Sequence, residues 1–158
     1  MKATPEQLIL QQIQALCQGH AQALRDALQD MALLALTPAQ YSQLSKADRR
    51  LLDQFAYRYT RLQDDMGTRL MPAVLKALGE DVAPMSAIDR FARLEQLGWL
   101  PSADAWATLR QIRNQFTHDD PDDAAERFDR LQAATVAAGQ LLTVMEQFDA
   151  RINGLLPN

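Results

Sequence analysis

Apolar residues recur along this chain at intervals of three and four, with polar side chains between them. That spacing keeps side chains on one face of an α-helix and does not suit a strand. The first run is Leu8, Ile9, Ile13, Leu16, Leu24, Leu28, Met31 and Leu34, with Gly19 its weakest point. Ahead of it, Thr4-Pro5-Glu6-Gln7 supplies an N-cap, a proline at the first helical position and a capping-box glutamine. Thr37-Pro38-Ala39-Gln40 repeats that start signal, and Ser45 with Asp48 makes a third cap.

A long second helix is expected from about Lys46 to Leu78, on the stripe Leu51, Leu52, Phe55, Tyr59, Leu62, Met66, Leu70, Val74 and Leu78. Gly79 is its stop signal. Pro84 breaks the chain, and Ser86 caps a shorter third helix carrying Ile88, Phe91, Leu94 and Leu97 and ended by Gly98. Pro101-Ser102 opens a fourth helix with Trp106, Leu109, Ile112 and Phe116. Asp120-Pro121-Asp122-Asp123 announces the last, which carries Phe128, Leu131, Ala138, Leu142, Met145 and Ile152. Amphipathic helices on short turns pack most simply as an all-α, up-and-down bundle, here of four to five helices. No linker, low-complexity tract or repeat divides residues 1–158, so a single helical domain is expected.

Composition agrees with this reading. The chain has 158 residues, 47% of them hydrophobic, with only six glycines and seven prolines, enough to bury a core without staples. Ala, Leu, Gln, Arg and Asp dominate, and β-branched residues are scarce. The single cysteine, Cys17, excludes an internal disulfide, favours a reducing compartment and reads as a small buried residue. No charged-then-apolar leader opens the sequence and no apolar run approaches a membrane span, so a cytoplasmic protein without membrane contact is expected.

Charge narrows the function classes. A net charge of −4 gives no broad attraction to a polyanion. An RNA substrate would need cationic side chains gathered locally or supplied by a second subunit, whereas a basic partner protein would suit the acidic balance directly.

The segment richest in chemistry is Arg113-Asn114-Gln115-Phe116-Thr117-His118, followed by Asp119-Asp120-Pro121. Arginine holds a phosphate at any pH, and histidine moves a proton near neutrality. On an ideal helix a separation of five residues turns Arg113 and His118 about 140° apart. Asn114, four residues before His118, shares its face. Pro121 biases Asp120 out of helical angles, so the helix should end near Thr117 to Asp119, where His118 can swing toward Arg113. The negative end of the helix dipole, with Asp119 and Asp120 beside it, should favour the protonated imidazole. A C-terminal histidine is also a routine complement to that dipole, so spacing alone does not establish a site.

Other polar residues carry weaker signals. Arg58, Arg61, Asp65 and Arg69 follow helical spacings and read first as a solvated face worth about 0.2–0.5 kcal/mol per opposite-charge pair. The functional alternative has Arg61 with Asp64 or Asp65 lining a cleft and orienting the histidine. His20 lacks neighbours at metal-ligand spacing, and no metal or other cofactor is implied. Of Tyr57 and Tyr59, one should be core and the other available to stack on a base. Trp99 and Trp106 read as core or interface anchors. The small residues Ala133, Ala134, Ala137 and Ala138 permit close helix approach.

Arg113-Asn114 followed by His118 resembles the Arg-x4–6-His motif of the HEPN family, where the residue after the arginine is commonly Asn, Asp or His. The stretch Arg58-Tyr59-Thr60-Arg61-Leu62-Gln63-Asp64-Asp65-Met66-Gly67 is similar to HepT-like members, and the expected helix order covers nearly the whole chain. The resemblance implies a homodimeric helical bundle. It implies a metal-independent endoribonuclease whose arginine and histidine meet in a cleft at the dimer interface. It also implies a toxin paired with a small nucleotidyltransferase-like antitoxin. Carried over, Arg113 and His118 are the catalytic pair, with Asn114 in the polar position beside the arginine; Arg61 and Asp65, from the helical face described above, are the supporting candidates. One departure stands out: HepT toxins modified by their antitoxin carry a tyrosine two residues after the histidine, and here that residue is Asp120. Transfer of AMP to that side chain is chemically excluded. The alternative function is a non-catalytic partner, antitoxin or substrate-binding subunit, of a nucleotidyltransferase-like protein. Asp119-Asp120 and the acidic balance favour it.

Overall fold

A computed structural model describes residues 2–118 and 123–157, with His118 described by its backbone alone. Every regular element among the described residues is helical. They are α1 (Pro5–Leu34), α2 (Pro38–Tyr41), α3 (Lys46–Asp65), a π-turn (Met66–Leu70), α4 (Met71–Ala77), α5 (Ala87–Gln96), α6 (Ala103–His118) and α7 (Ala124–Leu155). The chain is an all-α bundle. The helix starts lie where their caps are written. The Thr4 amide donates to Gln7 Oε1 at 3.0 Å while the Gln7 amide donates to Thr4 Oγ1 at 3.1 Å, and Thr37 with Gln40 repeats the reciprocal pair. Ser45 and Ser86 cap α3 and α5 through the amides of Asp48 and Asp89. Asp123 caps α7.

The expected second helix differs from the observed one in its middle. It is a continuous rod of α3, the π-turn and α4, and the interruption traces to Pro72. Proline has no N–H, and its ring crowds the carbonyl four residues earlier, here that of Thr68. The chain widens by one residue instead of breaking: the Met71 amide donates to Met66 O, five residues back. Leu62, Met66, Leu70, Met71, Val74 and Leu75 consequently stay on the buried side across the join.

The apolar run of α1 also needs correction. Leu8 and Ile9 are half exposed, and Leu16 is exposed too. The buried face is Leu10, Gln14, Cys17, His20, Ala21, Leu24 and Ala27. The larger side chains misplace this stripe because small and polar residues complete it. Gln14 is affordable there because its amide donates to Asp149 Oδ1 at 3.0 Å and Asn153 Oδ1 at 3.1 Å on α7. Gly19 leaves α1 unbroken. Ile88 is likewise exposed, and α5 buries Phe91 and Leu94 instead.

The core runs between α1, the rod, α6 and α7. Phe55 stacks on Tyr59 at 5.6 Å, Trp99 packs on Phe148 at 5.7 Å, and Phe91 meets Trp106 edge-on at 6.1 Å. Both tryptophans are buried, as the sequence suggests. Ala134, Ala137 and Ala138 are buried on α7, while Ala133 faces outward. Cys17 is fully buried, and burial, reinforced by Asp65, pushes its thiol up to about 12. No helix among the described residues is long and apolar enough to cross a membrane. Leu24→Ala should cost about 2–5 kcal/mol, whereas Leu33→Ala, at an exposed position, should stay within about 0.5 kcal/mol of wild type. Urea unfolding of the three proteins measures both.

Candidate functional site

Helix α6 is held so that its last turns face the rod. Ser102 Oγ accepts from the Ala105 amide at 3.0 Å and starts the helix, and Trp106 and Leu109 bury its first half. Phe116 meets Phe55 edge-on at 5.9 Å and Tyr59 at 5.8 Å, which fixes the rotation of the helix near its end. From α7, Arg130 Nη1 donates to Gln115 O at 3.0 Å, satisfying one of the carbonyls a helix end leaves open.

Arg113 lies three residues before Phe116 and therefore faces α3 as well. Its Nη2 donates to Asp64 Oδ2 at 2.6 Å and its Nη1 donates to Thr117 Oγ1 at 2.8 Å. Two edges of the planar fork are thus fixed, so its direction is set before any ligand arrives. The side chain is only 16% exposed, which makes it a sheltered cation rather than a surface one. Asn114 beside it is exposed. Tyr59 stands close enough for Arg113 to draw its hydroxyl pKa down, but burial dominates and pushes it up to about 12, so this phenol stays protonated.

Arg113 and Asn114 open onto a pocket of about 150 Å³. The rod contributes Gln63, Asp64, Gly67 and Thr68, α5 contributes Ala87, Arg90 and Phe91, and α6 adds Arg110. The Arg110 guanidinium lies over the Phe91 ring, 5.2 Å from its centroid. Among the described residues, three arginines and one carboxylate line this pocket, which gives them a local excess of positive charge in a chain of negative net charge. His118 is the last residue of α6 and its side chain lies outside the described residues, as do Asp119, Asp120, Pro121 and Asp122. The expectation that His118 swings toward Arg113 falls there.

Arg61 and Asp65, expected in support, do not line this pocket. Asp65 faces α1, where it is buried against His20 Nε2 at 3.5 Å, Arg61 Nη2 at 3.7 Å and Arg69 Nε at 3.8 Å. It is Asp64, one residue earlier, that reaches Arg113. His20 Nδ1 lies 3.0 Å from Arg58 Nη1. A guanidinium only donates, so Nδ1 accepts and the neutral ring carries its proton on Nε2, toward Asp65. Tyr57 is half exposed, its edge toward His20 and its face under the Arg58 guanidinium.

Sequence reasoning missed two members of these clusters. His20 is separated from Arg58 by 38 positions, and no local spacing connects them. Gln63 is 2% exposed and was legible in principle, since it follows the buried Tyr59 by four residues on the same helix face. No protein-family model matches the chain, and no curated protein or solved structure matches it with significance.

Burial, and next the Arg58 charge, hold the His20 pKa below its usual 6.5, with Asp65 pulling the other way. Below that ordinary value the unfolded chain takes up the proton more readily than the folded one. The stability contributed by neutral His20 is therefore complete above about pH 6.5 and is lost as pH falls through the lower, folded value. His20→Gln, whose amide oxygen still accepts from Arg58, should show a shallower loss of stability between about pH 7 and 5. Equal slopes in pH-dependent urea melts would place the acid sensitivity elsewhere.

Proposed function

We propose that this protein is a metal-independent endoribonuclease of the HEPN type. In this reading it works as a homodimer and as the toxin of a toxin–antitoxin pair, held in check by a nucleotidyltransferase-like partner. The observation that carries the proposal is the preset Arg113 guanidinium, fixed by Asp64 and Thr117 at the edge of an arginine-lined pocket and on the final turns of the helix that ends at His118. The Arg-Asn…His resemblance supports it independently.

In the cleavage step the 2′-oxygen of a ribose bonds to phosphorus and the bond from phosphorus to the 5′-oxygen breaks. The products are a 2′,3′-cyclic phosphate and a 5′-hydroxyl. A proton leaves the 2′-hydroxyl and one is delivered to the departing 5′-oxygen, and the imidazole of His118 performs proton transfer. Arg113 stabilises the charge that accumulates on the phosphate oxygens, a contribution that is largest when the donor is already oriented. A second copy of the chain would bring a second Arg113–His118 pair and further cations to the same RNA.

A second reading draws on one specific observation. Asp64 Oδ2 lies 2.6 Å from Arg113 Nη2, so a carboxylate already occupies an edge of the guanidinium that a phosphate would use. A non-catalytic subunit of a nucleotidyltransferase-like protein would keep that ion pair for structure alone. Expression of this chain by itself separates the two: growth arrest indicates a toxin, and rescue of a co-expressed neighbour's toxicity indicates an antitoxin. For the chemistry, cleavage of cellular RNA in excess chelator should fall about 10²- to 10⁴-fold in His118→Ala and by a comparable factor in Arg113→Ala. Equal cleavage by wild type and both variants would remove these side chains from the mechanism.

A further inference from the structure

The amide of Gln63 is the polar group of this fold that its own contacts explain least. Its residue is 2% exposed, it lines the pocket beside Arg113, and neither its Nε2 nor its Oε1 has a hydrogen-bond partner among the described residues. Leaving a buried donor and a buried acceptor unmade is costly in a folded protein, and a leucine would fill similar space without that cost. The same pocket contains Arg90, whose Nε is also buried without a partner among the described residues, and Arg110 at its exposed rim. An unused donor and acceptor therefore lie side by side behind one wall, while another wall presents cations.

We propose that this pocket binds one nucleobase of the RNA, its polar edge meeting the Gln63 amide, with the adjoining phosphate held by Arg90 and Arg110. The size agrees: a cavity of about 150 Å³ is large enough for a single six-membered ring. The chemistry agrees as well, because a carboxamide pairs with a base edge that sets a donor beside an acceptor. Both amide atoms are closed to water in the unbound protein, so the base must displace a wall side chain to reach them. Thr68, Ala87, Arg110 and Asn114 are the exposed lining residues, and of these Arg110 and Asn114 carry the longer side chains that can shift. That the base belongs to the nucleotide next to the cleaved bond rests on the nuclease reading; the binding itself does not.

The test is equilibrium binding to the whole chain of residues 1–158 carrying His118→Ala, which keeps the pocket intact and separates binding from the proposed proton transfer. The four ribonucleoside 5′-monophosphates are compared with ribose 5-phosphate and with inorganic phosphate by calorimetry. At least one monophosphate should bind about 5- to 100-fold tighter than ribose 5-phosphate, and adding Gln63→Leu should erase that difference while leaving the phosphate contribution. Ribose 5-phosphate binding as tightly as all four monophosphates overturns the proposal, whether or not the Gln63→Leu chain folds. A base preference that survives in folded Gln63→Leu protein overturns the role of the amide. Base-dependent binding without RNA cleavage by the wild type keeps the pocket and removes the nuclease, and cleavage without base-dependent binding does the reverse.

Discussion

Two consecutive carboxylates on one helix face two different neighbours, and that divergence organises the chemistry of this bundle. Successive side chains of an α-helix point about 100° apart, so Asp64 and Asp65 cannot serve the same partner. Asp64 turns to α6 and fixes Arg113 at 2.6 Å, while Asp65 turns to α1 and is buried against His20, Arg61 and Arg69. The first carboxylate is 45% exposed in its side chain and the second only 5%, which separates their roles. A half-exposed ion pair adds little to stability, and its value lies in aiming the guanidinium. A buried carboxylate without its cations would be strongly destabilising, so the second cluster ties α3 to α1.

The rod that carries both carboxylates keeps its direction only because the backbone absorbs Pro72. An α-helical continuation would press the proline ring on the Thr68 carbonyl, and a break there would detach α4 from the core. The π-turn spreads the misfit over Met66–Leu70 and keeps the buried side continuous. Asp64, Asp65, Gly67, Thr68 and Arg69 all lie on or beside this turn, so the irregular backbone and the polar clusters occupy the same stretch of chain. Such coincidence is common where a helix departs from ideal geometry.

Most of the fold was legible in the sequence because its boundaries are written in local chemistry. Thr4-Pro5, Thr37-Pro38, Ser45, Ser86 and Ser102 act within three residues of themselves and need no tertiary knowledge. What failed was anything decided by a neighbour distant in sequence. Leu8 and Ile9 look more apolar than Gln14 and His20, yet the polar pair is buried because α7 and α3 supply its hydrogen bonds. Asp64 or Asp65 was expected to line a cleft with Arg61, and it is Asp64 that lines the pocket and reaches Arg113, a choice between neighbours that only the rotation set by Phe116 against Phe55 and Tyr59 decides. Pro72 was readable as a helix disturbance, but its resolution by a π-turn rather than a kink depends on how the buried side must continue.

Arginine placement also bears on how an acidic chain would meet the anionic substrate proposed for it. Net charge governs long-range attraction, and at −4 it gives a polyanion no general reason to approach. Binding at contact distance depends instead on which charges share a low-dielectric wall. There, among the described residues, Arg90, Arg110 and Arg113 stand against Asp64 alone. Salt weakens long-range attraction far more than a sheltered contact of this kind, since screening acts over about 10 Å of solvent. Under the proposed function, a chain built this way would discriminate against binding nucleic acid indiscriminately over its surface while offering this pocket to a phosphate and its base. The Gln63 amide behind that place, unpaired among the described residues, adds a further condition, because a ligand that brings only acceptors leaves its Oε1 unsatisfied.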